Sequence, residues 1–182
     1  MPLLNSVTTP YAEALLQVVN ENDQTEQMVE EVKQLLTLIN DAPELGKTLS
    51  SPILEKETKK KIIMEIFSEK INSSLLNFLK LLADRQRIGI LTSILDRFLE
   101  LYRENSNIAL ATVTSAVELT DDQKGLITKK IINIAGTEKL ELVTKIDPSL
   151  IGGFVASVGS KVIDASLASQ IRKLGLLSLI HI

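Results

Sequence analysis

Cysteine is absent from the 182-residue chain, and histidine occurs once, at His181. The first absence removes disulfides, thiolate metal sites and cysteine nucleophiles. The second removes multi-histidine metal sites and any central histidine base. Aromatic residues make up only 3% and tryptophan is missing, which leaves little to stack on bases or sugar rings. A basic surplus is also lacking: 20 Lys and Arg stand against 23 Asp and Glu, a net charge of −3, which argues against a nucleic-acid binder. No apolar run approaches the roughly 20 residues of a membrane span. The opening MPLLNSVTTPYAEALL has neither the basic start of a signal peptide nor the Arg-rich character of a transit peptide. The expectation is a soluble protein with no cofactor, used in the compartment where it is made. It works through carboxylate, hydroxyl or lysine chemistry, or by contact alone.

What is present is apolar residue in quantity, 45% of the chain, patterned first for helices and then for a mixed fold. Thr9 with Pro10 predicts a helix start, followed by Tyr11 to Asn20. Met28, Val29, Val32, Leu35, Leu36 and Ile39 keep helical spacing from Thr25 to near Ala42-Pro43. A short segment follows at Glu44 to Leu49, then a helix carrying Ile62, Ile63, Ile66 and Phe67. Leu75 to Ala83 and Ile90 to Tyr102 are the fifth and sixth apolar segments. Beyond Asn105-Ser106-Asn107 the pattern changes. Ile108 to Val117 reads as a strand, with Ile108, Leu110, Thr112 and Thr114 on one face. Thr120 and Gln123 form a capping-box signature that opens a helix through Ile134, stopped by Gly136. Leu140 to Ile146 alternates as a second strand. Gly159-Ser160 joins Phe154–Val158 to Lys161–Asp164 as a hairpin, and Ser166 can cap a last helix through Leu177.

The expected fold is therefore α+β, mainly α: a six-helix bundle over 1–105, then a small α+β domain over 106–182 with a β-hairpin and a C-terminal helix. Charge shifts at the same place, with 12 basic and 16 acidic residues before it and 8 and 7 after.

Chemistry is hard to find. Gly152-Gly153 lacks the Lys-Ser/Thr pair of a phosphate loop and reads as a turn or a close backbone approach. Lys59-Lys60-Lys61 is a solvated helix face offset by Glu55, Glu57 and Glu65. Asp121-Asp122 complement a helix N-terminus, with no further ligands nearby to make a metal site. Asp164 and Ser166 have no base to activate a nucleophile. The positive signal is apolar excess. In Tyr11 to Val19 only Glu13 and Gln17 are strongly polar, and in Leu75 to Ala83 only Asn77 and Lys80. A surface helix usually needs an apolar stripe only about 100° wide. The wider arcs suit two central helices, or a groove for a partner's amphipathic helix.

Three segments carry a family resemblance. Ile146 to Leu174 reads IDPSLIGGFVASVGSKVIDASLASQIRKL, Pro10 to Leu15 reads PYAEAL, and Ala83 to Ile88 reads ADRQRI with Gln86 where glycine is common. Together they resemble the δ subunit family of bacterial and plastid F-type ATP synthase, related to the mitochondrial oligomycin-sensitivity-conferring protein. The resemblance implies a non-catalytic stator subunit that keeps the catalytic head from turning with the rotor. Its bundle would grip N-terminal helices of α subunits through Tyr11, Ala14, Leu15, Val18, Phe78 and Leu81. Its second domain would hold b-type subunits of the peripheral stalk through Ile171, Leu174 and Leu177. It implies a monomer within a hetero-oligomer, peripheral to a thylakoid or bacterial plasma membrane on the stromal or cytoplasmic face. The alternatives are a helical adaptor for one cytosolic amphipathic peptide and a small metal-independent enzyme.

Overall fold

The computed structural model describes residues 2–21, 24–137 and 139–172. The chain divides into two compact units, Met1–Tyr102 and Arg103–Ile182, three residues before the point where the composition changes.

The first unit is helical. Its elements are α1 (Pro2–Glu21), α2 (Thr25–Asp41), α3 (Pro43–Ser50), α4 (Lys56–Phe67), α5 (Ser73–Asp84), a 3-10 turn at Ile88–Ile90, and α6 (Leu91–Asn105), whose last turn belongs to the second unit. Phe67, Phe98, Ile63, Leu75, Leu79 and Ile94 are sealed at its centre. Helix α1 corrects one expectation: it begins at Pro2 and runs through Pro10. An interior proline removes one backbone hydrogen bond. Thr8, however, is buried on the same stripe as Ala12, Leu15, Leu16 and Val19, so the turn before the proline also packs.

Polar side chains fix the turns. The Asn72 side chain accepts from Ser74 N–H at 2.8 Å to start α5, and Asn72 N–H donates to Glu31 of α2 at 2.8 Å. Lys60 of α4 is ion-paired with Asp84 of α5. The hydrogen bond to Asp84 raises the Lys60 pKa above its ordinary value, against the opposing effect of burial.

The end of α5 explains the departure at Gln86. Arg87 N–H donates to Leu82 O at 2.8 Å and Gln86 N–H to Ala83 O at 3.0 Å, the paired bonds of a Schellman cap. That cap requires a left-handed residue, and Gln86 supplies it with φ 55°. Glycine would adopt this conformation without a Cβ penalty.

In the second unit, β1 (Ile108–Ser115), α7 (Asp121–Ala135), β2 (Lys139–Ile146), β3 (Phe154–Val158) and β4 (Lys161–Asp164) form a sheet of order β2-β1-β3-β4 with a helix against it. Strands β1 and β2 are parallel, so α7 is the crossover between them. Strands β1, β3 and β4 pair antiparallel. The Thr120–Gln123 capping box is complete, with both reciprocal bonds formed at 3.0 and 3.3 Å. Gly136 ends α7 at φ 71°.

Ala111, Val113 and Ala156 are fully buried with Ile127 and Ile131 of α7. The core side of β1 is thus the one carrying Ala111 and Val113. The side carrying Ile108, Leu110, Thr112 and Thr114 is the less buried one, with Leu110 36% exposed. The β3–β4 connection has positive φ at Gly159 only, as in a type II′ turn. Residues 167–172 are helical and capped by Ser166, whose Oγ accepts from Ser169 N–H at 3.2 Å.

Replacing Gln86→Gly should raise the stability of the first unit by about 0.5–1 kcal/mol, relief of the left-handed strain exceeding the added chain entropy. Denaturant unfolding of the full chain measures this; a loss of stability would mean that the Gln86 side chain does more than occupy the cap.

Candidate functional site

Helix α1 has more apolar surface than its own unit uses. Thr8, Ala12, Leu15, Leu16 and Val19 face inward and are buried. Tyr11, Ala14 and Val18 lie on an adjoining stripe, about 110° round at 100° per residue. Ala14 is exposed, Val18 is 44% exposed and Tyr11 is half-buried. Helix α5 divides in the same way: Leu75, Phe78, Leu79, Leu82 and Ala83 are buried, while Leu81 is 44% exposed. Helices α1 and α5 are neighbours in the bundle.

Two of the residues expected on the head-facing groove, Leu15 (3% exposed) and Phe78 (8%), are buried in the bundle's own core. Their spacing put them on apolar arcs, but the inward part of each arc is taken by the protein itself. Tyr11, Ala14, Val18 and Leu81 keep accessible surface. Sequence reasoning missed Arg87, whose guanidinium lies 5.9 Å from the centroid of the Tyr11 ring. It emerges from the Schellman cap of α5 and puts a cation beside the aromatic face.

In the second unit, Ile171 is 62% exposed on the last described turns. Leu174 and Leu177 lie outside the described residues. A second apolar surface was not anticipated. Val117, Leu126 and Ile151 are 70%, 69% and 77% exposed, and they line a groove of about 530 Å³ with Leu119 and Phe154. The signal was available in part, since Val117 and Leu119 are apolar residues placed in a loop before a polar cap.

One wall of this groove is the Ile151–Gly153 segment, and the turn that leads into it is set by backbone chemistry. Asp147 N–H donates to Ser115 O at 2.9 Å, and Leu150 N–H to Asp147 O at 3.1 Å, closing a turn with Pro148 at its second position. Asp147 Oδ1 accepts from Ser149 N–H at 2.9 Å. Gly153 has φ 78°, and a Cβ there would collide with the Ala165 carbonyl oxygen. Leu167 N–H donates to Gly152 O at 3.0 Å, and Ala165 N–H to Phe154 O at 2.9 Å. The double glycine lets two backbones touch, one of the two roles expected for it.

Among the described residues no three His, Asp or Glu side chains gather as a metal site. Lys60 and Asp147, whose pKa values are shifted, have structural partners: Lys60 its Asp84, and Asp147 its Ser149. Two compact units, each with apolar surface in excess of its core, define a protein of the docking class.

A family model described as "ATP synthase delta (OSCP) subunit" matches residues 7–176. The ATP synthase subunit delta of Prochlorococcus marinus subsp. pastoris (strain CCMP1986 / NIES-2087 / MED4) is 93% identical over 176 residues, 97% of this chain and 98% of that protein. Its counterpart from Prochlorococcus marinus strain MIT 9303 is 57% identical over 97% of each. A chain in the cryo-EM structure of the Toxoplasma gondii mitochondrial ATP synthase hexamer shares the fold. It has a TM-score of 0.71 at 19% identity and covers 94% of this chain and 97% of that one. The chain belongs to the ATP synthase delta (OSCP) subunit family.

Two outcomes follow from the geometry. Leu15→Ala should cost about 2–5 kcal/mol of stability, as a core truncation does. Val18→Asp, at a half-open position, should leave the unfolding midpoint nearly unchanged; comparable losses would put Val18 in the core as well. The second outcome concerns pH. Hydrogen bonds from Ser149, its hydroxyl first and its backbone N–H next, hold the Asp147 carboxyl below its ordinary range. A lowered folded pKa gives stability that is present above the ordinary carboxylate value and lost as pH falls through the folded one. The unfolding temperature of Asp147→Asn should thus lie below that of the unmodified chain at neutral pH. The gap should close in acid; a pH-independent gap would show that the charge is not engaged.

Proposed function

We propose that this chain straps the catalytic head of F-type ATP synthase to its peripheral stalk, gripping N-terminal α-subunit helices with the first unit and b-type subunits with the second. The coarser statement stands on family membership: the chain is a non-catalytic stator subunit of ATP synthase. The alternatives of an adaptor and a small enzyme fall with it. As a strap it would act as one copy in a hetero-oligomer, peripheral to a thylakoid or bacterial plasma membrane on the stromal or cytoplasmic face. No helix among the described residues is long and apolar enough to cross a membrane.

The observation that carries the head-facing half is the second apolar stripe on α1, beside a core that is already full. A visiting amphipathic helix would cover Val18 and Leu81, each still 44% exposed, and use Tyr11 with Arg87 as an aromatic and cationic anchor. Covering the open half of two such side chains is worth about 2 kcal/mol together. Torque from the rotor is resisted only while the tie stays bound. Binding spread over two separate units suits this, since release then needs both contacts to fail together.

Titration of isolated head with the Val18→Asp and Leu81→Asp chains should show binding weakened tenfold or more, with unfolding midpoints unchanged. Affinities equal to that of the unmodified chain would remove this stripe from the interface.

A further inference from the structure

We propose that Arg103 and Glu141 form a latch that keeps the last turn of α6 wound under load, so that the chain does not pass from one unit to the other as a slack tether. This rests on the reading of the chain as a strap, and deepens it by naming the ion pair that stiffens the strap.

Helix α6 runs without a break from Leu91 to Asn105, across the point between Tyr102 and Arg103 where the two units divide. Leu101 and Tyr102 pack against the core of the first unit. Strand β1 starts at Ile108, already in register with Lys139 of β2. Any pull carried along the chain from one unit to the other therefore crosses Arg103 to Asn107. A wound stretch carries it stiffly and an unwound one does not.

Local sequence gives little reason for this stretch to stay wound. It reads Arg-Glu-Asn-Ser-Asn, with no apolar side chain to bury, and Glu104 and Asn105 are exposed. Asn and Ser are weak helix formers, and helix ends fray. The tie to the sheet is made by charge: Arg103 Nη1 donates to Glu141 Oε2 at 3.2 Å. The two side chains are only 16% and 25% exposed, so salt screens them less than a surface pair. A charge-assisted bond of this kind fixes geometry as well as charge. Arg103 also sets a cation at the negative end of the α6 dipole.

The partner side of the latch is stiff. Glu141 stands opposite Leu110 within the continuous parallel pairing of β1 and β2. Asn107 completes the path, its N–H donating to Glu104 O at 3.3 Å and its φ at 52°, a conformation that asparagine tolerates. The wound turn thus feeds directly into β1. A helix rises 1.5 Å per residue, whereas extended chain spans about 3.4 Å. Each residue that unwinds adds about 2 Å of slack, and slack in a strap becomes rotation of the head before the tie takes load.

The test uses the full chain. Glu141→Lys sets two cations face to face, and amide exchange at Asn105 to Asn107 should quicken at least tenfold. Exchange at Val113 and Ala156, paired inside the sheet, should stay as it is, which separates an opened latch from an unfolded unit. Arg103→Glu combined with Glu141→Arg restores the attraction and should bring the turn to within threefold of the unmodified chain. Load is read in synthase assembled with each chain, its b-type stalk fixed to a surface and a gold rod on the head. Glu141→Lys should widen the rod's angular fluctuations at least twofold, and the double variant should narrow them again. Unchanged exchange in Glu141→Lys, or a double variant as loose as the single one, would overturn the latch. Quickened exchange with unchanged rod fluctuations would overturn its part in carrying load and leave the strap reading standing. A head that the unmodified chain fails to hold to the stalk would overturn the strap reading and the proposal with it.

Discussion

An α-helix has one circumference, and α1 must divide it between two demands. The bundle takes the stripe of Thr8, Ala12, Leu15, Leu16 and Val19, closing a core in which these residues are almost fully removed from water. Tyr11, Ala14 and Val18 lie beside that stripe and remain partly open. A helix apolar over so wide an arc either sits at the centre of its domain or meets something beyond it. In α1 the inner part of the arc does the first and the outer part is free for the second. The unit's core is therefore closed by its own residues with apolar surface left over, and Leu81 of α5 extends the same arrangement to a neighbouring helix.

The second unit meets the same demand with a sheet. Here the apolar surface outside the core is held on loops, at the end of β1 and between β2 and β3. Loops are ordinarily the variable and mobile part of a fold. This one is fastened by backbone alone: the Asp147 turn, the carbonyl of Gly152 accepting from Leu167, and Gly153 pressed against Ala165. Such fastening leaves the side chains of Ile151 and Val117 unused by the fold. The stretch that carries the family resemblance, from Ile146 onward, is the stretch that builds this wall. No reacting group is needed to account for it.

Much of the fold was legible because local signals agreed with each other. The capping box at Thr120, the stop at Gly136, the Gly159-Ser160 hairpin and the apolar periods of α2 and α4 to α6 each state a backbone preference that packing reinforces. The start of α1 was misread for a physical reason. Proline at the first helical position is usual, and only tertiary burial of Thr8 shows why the helix continues upstream. The inner side of β1 was illegible too, since alternation marks two faces without saying which one a helix will cover. Leu15 and Phe78 failed as surface residues on the same ground: width of an apolar arc reports how much is buried in all, and not by whom. Arg87 and the groove of the second unit depend on turns and long-range contacts that no window of sequence contains.

Gln86 shows how far a local departure can be absorbed. A left-handed non-glycine residue costs about 1–2 kcal/mol. The Schellman cap is retained because it directs the chain from α5 into the Ile88–Ile90 turn, burying Ile88 and bringing Arg87 over Tyr11. Burial of one such side chain is worth roughly 1.5–3 kcal/mol, enough to offset the strain. The cap is thus kept by what lies after it, and the anchor on α1 is shaped by a turn some seventy residues away in the chain. The candidate docking stripe is in this sense a product of the bundle as a whole. Its residues are few and at least partly open, yet their arrangement depends on the bundle's own core.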